Sequence, residues 1–550
     1  MNFVDPFYAL FLLVLLLSYW HYGRWRPADM RPAQPATAGP PEGDTLADSG
    51  ASDELDPTIY RRRHWMLLAA SLVFYAFFQI QYIPLLLAIA LLNFALGKAM
   101  AARSRGGFQS RYARLSNQDW EEVQRLWNAR ATQLLSLGLA INVLLLLGFK
   151  YIPFFLRVMA DLLGLLQLAG LADWLRQQWA LPLSESLVAP LGISFFTFEC
   201  VAYLVDVYRG APPAQDLLEF TSYKLFFPKL ISGPITRYHQ FAAQFQAIRR
   251  PQTEPFAEGV WLLAAGAFKK VIIADSLGIF VDLCFGAGNL ERAGSGDLWL
   301  AVVAYGLQLF FDFSGYVDMA RGTGMLLGFT LPANFDFPYF TTSIADFWRR
   351  WHMTLGDWLR NYLYFPLGGS RRGLQRTCVN LVVIMAIAGI WHGAAWGFLI
   401  WGLLHGAALV AHRLTEHHSQ QDPVWAAWWQ SRPGTVSAWL LTQFFVFVAW
   451  IFFRLPDLKQ AWLVLRHSVG HAGDVQFTEK VYVEALGLGR PELTWLLLGL
   501  IGVMGLGFGL QRGLRLELAR PLKLMLVPLC FLAVWLLAPE GGLRYIYFDF

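Results

Sequence analysis

Ala388-Gly389-Ile390-Trp391-His392-Gly393-Ala394-Ala395-Trp396-Gly397 places a single histidine inside an otherwise apolar run. An ionisable side chain at membrane depth is costly, so it is a functional candidate by default. Ala388, Gly389, Gly393, Ala394, Ala395 and Gly397 are small enough to let another helix or a ligand come close. A purely structural histidine is the plainer alternative. His405, in Leu403-Leu404-His405-Gly406, repeats the pattern more weakly and reads as structural.

Upstream lies a second histidine, His352, in Ile344-Ala345-Asp346-Phe347-Trp348-Arg349-Arg350-Trp351-His352-Met353-Thr354-Leu355-Gly356-Asp357-Trp358-Leu359-Arg360-Asn361. At ~100° per residue, Asp346–Tyr362 predicts one amphipathic helix. Asp346, Arg349, Arg350, Asp357, Arg360 and Asn361 share its polar face, and Phe347, Trp348, Trp351, Leu355, Trp358, Leu359 and Tyr362 lie opposite. His352 falls at the edge of the aromatic face, beside Trp348 and Gly356. An interfacial histidine bonded to a backbone carbonyl is the alternative to a catalytic one.

The rest of the chain places this pair in a membrane. Of 550 residues, 56% are hydrophobic, 16% aromatic and 15% charged, against about 45–50% apolar and about 25% charged in ordinary soluble domains. Apolar runs cover about Phe7–Trp20, Trp65–Phe78, Tyr82–Leu96, Ala131–Phe149, Tyr151–Leu168, Leu187–Val205, Phe256–Phe285 and Trp299–Phe313. They continue at about Val379–Leu399, Leu399–Val410, Ser437–Phe453, Leu493–Gly509 and Leu522–Leu537. At ~20 residues per span these predict an all-α polytopic membrane protein with about eleven to thirteen membrane segments, the shorter ones tilted or re-entrant.

Charge sets the orientation. Residues 21–63, rich in Pro, Ala, Gly and Asp, cannot bury a core and read as a disordered loop ending in Arg61-Arg62-Arg63. The connection after Leu96 carries Lys98, Arg103, Arg105, Arg111, Arg114, Arg125 and Arg130. Two basic connections flanking one hairpin lie on the same side, and the positive-inside rule makes that side cytoplasmic. Residues 1–20 are then a retained first span rather than a cleaved signal peptide, because an acid, Asp5, precedes the apolar run. Net charge is +5 and argues for no nucleic-acid partner. Cys200, Cys284, Cys378 and Cys530 show no C-x-x-C spacing and read as buried small apolar groups, and no metal site is predicted.

Histidine suits acyl transfer from a thioester to a hydroxyl, because it accepts a proton near neutral pH while an oxyanion develops on the substrate. No G-x-S-x-G elbow, phosphate-binding G-x-x-x-x-G-K-[ST] loop or H-E-x-x-H helix offers another chemistry. Phe226-Phe227-Pro228-Lys229-Leu230-Ile231-Ser232-Gly233-Pro234-Ile235-Thr236-Arg237 breaks an apolar stretch with two prolines and a glycine. Such backbone at membrane depth needs protein or a water-filled cavity around it.

Taken together, these segments resemble the membrane-bound O-acyltransferases (MBOATs), in particular the bacterial branch containing the alginate O-acetylation protein. The likeness rests on Pro190–Phe198 through Asp206–Gly210, Phe227–Ile235, Phe311–Tyr316, Asn334–Phe340, Phe347–His352, Tyr362–Gly369 and Trp391–Gly393. It covers residues 191–405 as a catalytic core within a membrane domain of residues 64–550. The resemblance implies a ring of tilted and re-entrant helices around a central funnel. It implies His392 as the catalytic residue and His352 as a second histidine lining the same passage. It further implies acetyl-CoA as donor substrate, with no bound cofactor, and residence in the bacterial inner membrane. Its implied partners are a periplasmic acetyltransferase or esterase-like protein and the polysaccharide synthesis machinery, beside membrane lipid. Arg349, Arg350, Asn361, Asp312 and Ser314 are candidate substrate-binding residues; Arg349, Arg350 and Asn361 could orient the site from the helix face, though a solvated polar face is the plainer reading of those three. Asn361 departs from the branch, which commonly has aspartate before the tyrosine at Tyr362.

Leu543-Arg544-Tyr545-Ile546-Tyr547-Phe548-Asp549-Phe550 reads either as an interfacial aromatic anchor or as an acyl-carrying tail. A phenol can form an ester intermediate, which makes Tyr547 a candidate relay. The expected activity is O-acetylation of an extracytoplasmic alginate-like or cellulose-like exopolysaccharide, with peptidoglycan or another envelope polymer as the alternative acceptor. A secondary transporter and an export-complex scaffold are rivals of a different kind.

Overall fold

A computed structural model describes residues 3–22, 57–101, 117–165, 168–175, 177, 189–247, 253–286, 288–539 and 542–548. Among them the architecture is all-α. The one β-type contact is an isolated antiparallel bridge between Phe335 and Trp351. Most of the loop expected at residues 21–63 lies outside the described residues. Its last seven residues do not belong to a loop, because a helix begins at Pro57, where a proline costs no internal hydrogen bond.

The principal helices are α1 (Pro6–Tyr22), α2 (Pro57–Gln79), α3 (Ile83–Ala101), α4 (Asn117–Lys150), α5 (Ile193–Tyr208), α6 (Leu217–Lys224), α7 (Thr253–Phe268), α8 (Ser276–Phe285) and α9 (Ser295–Leu326). They continue with α10 (Ile344–Arg350), α11 (Met353–Leu359), α12 (Leu374–His392), α13 (Trp396–Ser419), α14 (Arg432–Arg454), α15 (Arg490–Phe508) and α16 (Arg520–Leu537). Eight helical segments among the described residues are long and apolar enough to cross a membrane. One of them, Thr58–Ala101, contains both α2 and α3 in 44 residues. A straight helix of that length would be about 66 Å long, against a hydrocarbon core of about 30 Å. The tighter turn at Ile80–Tyr82 divides it into two passes.

The most buried long helix is α9. Its first turn is fixed by Asp297, which accepts from Gly294 N at 3.0 Å and takes a two-pronged ion pair from Arg490 at 2.6 and 3.0 Å. A carboxylate at a helix start satisfies orphan amides and suits the helix dipole. α7 lies close along α9 because glycines face each other. A Cβ on Gly266 would come within 2.6 Å of Gly315 O, and one on Gly322 within 2.6 Å of Gly259 O. α1 docks on the opposite end through Trp20 Nε1–H to Leu326 O (3.0 Å) and the Tyr8–Thr323 hydroxyl pair (2.6 Å).

Two expectations need correction. The single helix predicted over Asp346–Tyr362 is interrupted at Trp351–His352, where His352 adopts φ +45° and α11 starts afresh. The cause is a distant strand-like segment: Asp336 N donates to Arg350 O and Met353 N to Asn334 O, both at 3.0 Å. Likewise the runs placed at Val379–Leu399 and Leu399–Val410 meet earlier, since α12 ends at His392 and α13 begins at Trp396. The chain turns there because Gly393 is extended and lies against the Phe398 ring, where a Cβ would come within 2.1 Å.

Candidate active site

His392 ends α12, whose last carbonyls lack helical partners. Side chains from the end of α4 satisfy them. Lys150 Nζ donates to Trp391 O (2.5 Å) and His392 O (3.1 Å), and Tyr151 OH donates to Ile390 O (2.6 Å). α12 and α13 pack at a second glycine contact, with Gly389 against Phe398 O and Gly402 against Met385 O. His392 is 3% exposed, and its Nδ1 has no hydrogen-bond partner among the described residues. Trp391, Trp401 and Phe453 surround the ring at centroid distances of 4.7, 5.1 and 5.1 Å.

His352 is fully buried at the start of α11. A positive φ is uncommon for a residue with a side chain and costs roughly 1–3 kcal/mol. Here it turns the imidazole inward, toward Phe313 at 4.8 Å, Phe195 at 6.2 Å and Trp391 at 6.3 Å. Asn334 and Thr354 hold this turn. Thr354 N and Oγ1 both donate to Asn334 Oδ1 at 3.0 Å, and His352 Nδ1 lies 3.3 Å from the same oxygen.

Tyr547 joins the two histidines. Its ring centroid is 5.9 Å from that of His392, 6.2 Å from that of His352 and 4.1 Å from that of Phe313. A buried ionic clamp brings the tail there. Lys270 pairs with Asp312 and Asp275, both at 2.7 Å, and donates to Arg544 O at 3.2 Å. Asp312 accepts from Ile546 N at 3.0 Å, and Asp275 accepts from the Leu543 amide.

A cavity of about 510 Å³ reaches His392, Trp391 and Tyr547 between Gln79, Lys150, Ser194 and Arg544. A second, of about 740 Å³, shares Lys150, Ala189 and Arg544 and continues along Gly393, Phe398, Arg454 and Gln308. Trp391 also heads a run of stacked rings. Phe198 stacks on Trp391 at 5.0 Å and on Trp358 at 3.8 Å, and Tyr362 follows 5.4 Å from Trp358.

The remaining predicted residues sit elsewhere. Arg349, Arg350 and Asn361 line neither cavity. Arg350 pairs with Asp346 at 3.1 Å, and Asn361 donates to Asp357 O while its own carbonyl accepts from Arg209. Asp312 belongs to the tail clamp. Ser314 is buried on α9 and lines neither cavity. His405 accepts from Trp348 Nε1 at 3.3 Å and so ties α13 to α10.

Lys150, Asn334, Lys270 and Glu199 carry structural duties that the sequence reading did not assign. The broken segment Phe226–Arg237 is held by Glu199, which takes Lys229 at 2.6 and 2.7 Å, Lys224 at 3.3 Å and Thr236 Oγ1 at 2.9 Å. A lysine ending or interrupting an apolar run was the available signal for Lys150, Lys229 and Lys270; nothing local marked Asn334.

A sequence profile described as "MBOAT, membrane-bound O-acyltransferase family" matches residues 176–455. The Azotobacter vinelandii protein named "Probable alginate O-acetylase AlgI" is 36% identical over 403 residues, 73% of this chain and 72% of that protein. The "Peptidoglycan O-acetyltransferase" of Helicobacter pylori is 36% identical over 436 residues, 74% of each chain. The "Teichoic acid D-alanyltransferase" of Streptococcus thermophilus is 32% identical over 238 residues, 41% of this chain and 57% of that protein.

Proposed function

The chain belongs to the membrane-bound O-acyltransferase family, and we propose that it moves an acetyl group from a cytoplasmic thioester, acetyl-CoA, toward O-acetylation of an extracytoplasmic polysaccharide. It is a multi-pass membrane acyltransferase, consistent with the bacterial inner membrane. The relatives act, by their names, on alginate, peptidoglycan and teichoic acid, all envelope polymers. Acetyl is favoured over D-alanyl because the two acetyl-transferring relatives align over nearly three quarters of this chain and the D-alanyl relative over 41%.

The observation that carries the reading is the Tyr547 ring set against both histidines at the head of a cavity. His392 is the general base. It takes the proton of the Tyr547 phenol as the oxygen attacks the thioester carbonyl. The tetrahedral intermediate collapses with cleavage of the carbon–sulfur bond, and the thiol leaves with the proton. The tyrosyl ester then passes its acetyl group to a hydroxyl of the acceptor or of a periplasmic acetyltransferase or esterase-like partner. His352 is the second histidine of the passage, and the helices form a ring about the resulting funnel.

Sidedness supports this order. α2 begins at the basic Arg61–Arg63 and α4 continues from the basic loop through Arg130, so both start on the cytoplasmic side. Their far ends, Gln79 and Lys150, line the cavity that reaches Tyr547. The cavity therefore faces the acceptor side, and the thioester comes to Tyr547 from the opposite side, past the Trp391–Phe198–Trp358 stack. Incubation with acetyl-labelled acetyl-CoA, followed by peptide mass analysis, tests the relay: label belongs on Tyr547, and label on other residues alone would contradict it.

A further inference from the structure

Asn334 lies in the extended stretch between α9 and α10, is 1% exposed, and has two donors and the His352 Nδ1 atom converging on one oxygen. The Thr354 backbone amide can only donate, so the atom it meets at 3.0 Å is the carbonyl oxygen of the Asn334 side chain and not its nitrogen. The Thr354 hydroxyl receives Ile235 N at 3.2 Å and sends its own proton to the same oxygen at 3.0 Å. An amide oxygen has no proton to give. His352 Nδ1, 3.3 Å away, must therefore carry the hydrogen of this bond. In a neutral imidazole the lone pair then sits on Nε2, which is buried with no hydrogen-bond partner among the described residues.

We propose that Asn334 is a positioning residue that holds His352 as its Nδ1–H tautomer, leaving Nε2 as the ring's one basic position inside the enclosure it shares with Tyr547 and Trp391. The role rests on the acyl-transfer reading above, while the tautomer does not. A ring held this way can accept at Nε2 the one proton that His392 takes from Tyr547 and pass it to the departing sulfur without releasing Asn334, since the transient imidazolium keeps its Nδ1–H bond. The same oxygen accepts from the first turn of α11, so the helix start and the tautomer are set together. Through Thr354 the arrangement also reaches the broken segment, because Ile235 precedes Thr236, a ligand of buried Glu199.

The test uses the full chain in lipid nanodiscs with 15N-labelled histidine, the His352 signals being assigned by their loss in His352→Gln. Nitrogen–proton correlation spectra should show Nδ1 protonated and Nε2 bare. Asn334→Asp retains the acceptor and should keep both the tautomer and most of kcat. Asn334→Leu removes the acceptor and should lower kcat on the order of 10²-fold with little change in KM, as expected when a catalytic histidine loses its orienting partner. Thr354→Val weakens the helix start but leaves the His352–Asn334 bond, so it should lower the melting temperature without altering the His352 spectrum. Protonated Nε2 in the unmodified chain would overturn the proposal whether or not the chain transfers acetyl groups. So would an Asn334→Leu chain with undiminished kcat. If Asn334→Leu does not fold, the spectrum of the unmodified chain and of Asn334→Asp decides.

Discussion

The Tyr547 ring stands 5.9 Å from the imidazole of His392, although the two are joined through the whole length of α13 to α16. The acceptor phenol and the proposed base thus share one enclosure, which gives the relay its first prediction. Tyr547→Phe removes one oxygen and keeps the ring that packs on Phe313. Polymer acetylation should fall to background in cells carrying the variant, with the purified protein still folded. Normal acetylation would exclude the relay.

The tail clamp predicts a separable defect. Asp312→Ala deprives the Ile546 amide of its acceptor and leaves Lys270 with one carboxylate, Asp275, and the Arg544 carbonyl. Breaking one partner of a buried ion pair costs roughly 3–5 kcal/mol, part of which local release of the tail can offset. Limited proteolysis should cut the released tail faster, and acetyl transfer should be lost with it. A tail as resistant as before would show that Asp312 does not hold it.

Glu199 balances two lysines that are 0 and 1% exposed in their side chains. Glu199→Gln leaves both without their carboxylate and should destabilise the fold by about 3–5 kcal/mol. Replacing Lys229 with Met in the same chain should recover part of the loss, because one uncompensated charge is gone. Thermal unfolding in detergent measures both, and equal melting temperatures for the unmodified chain and Glu199→Gln would refute the claim.

Close approach of α12 to α13 should be intolerant of bulk. Gly389→Val adds a Cβ at 2.3 Å from Phe398 O, so the helices must separate and carry His392 with them. The cost of such overpacking is about 1–3 kcal/mol. Gly148→Ala is the control, since its added Cβ meets nothing within 4 Å beyond its own stretch of helix. A smaller loss of stability in Gly389→Val than in the control would contradict the packing.

Much of this is legible in the chain itself. The polar histidine in a small-residue run, the proline-broken Phe226–Arg237 segment and the aromatic tail each violate the rules of an ordinary span, and each contributes a residue to the lining of one cavity. What local pattern could not supply was anything imposed from far away. The break at His352 has no proline, and its cause is Asn334 pairing with Thr354 and Met353. The clamp that sets Tyr547 against the histidines joins α9 and the turn before α8 to residues more than 200 positions later. The helical wheel put Arg349, Arg350 and Asn361 on a polar face apart from His352, and they lie outside both cavities, while the interruption that turns the imidazole inward was not readable from the wheel.

The central claim, that His392 is the base for acyl transfer, is tested by acetyl transfer from acetyl-CoA by the purified chain and by His392→Ala. Transfer by the unmodified chain is expected, with a loss of about 10²–10⁴-fold in the variant and the fold intact by melting temperature. Transfer at an undiminished rate by a folded His392→Ala chain would contradict it.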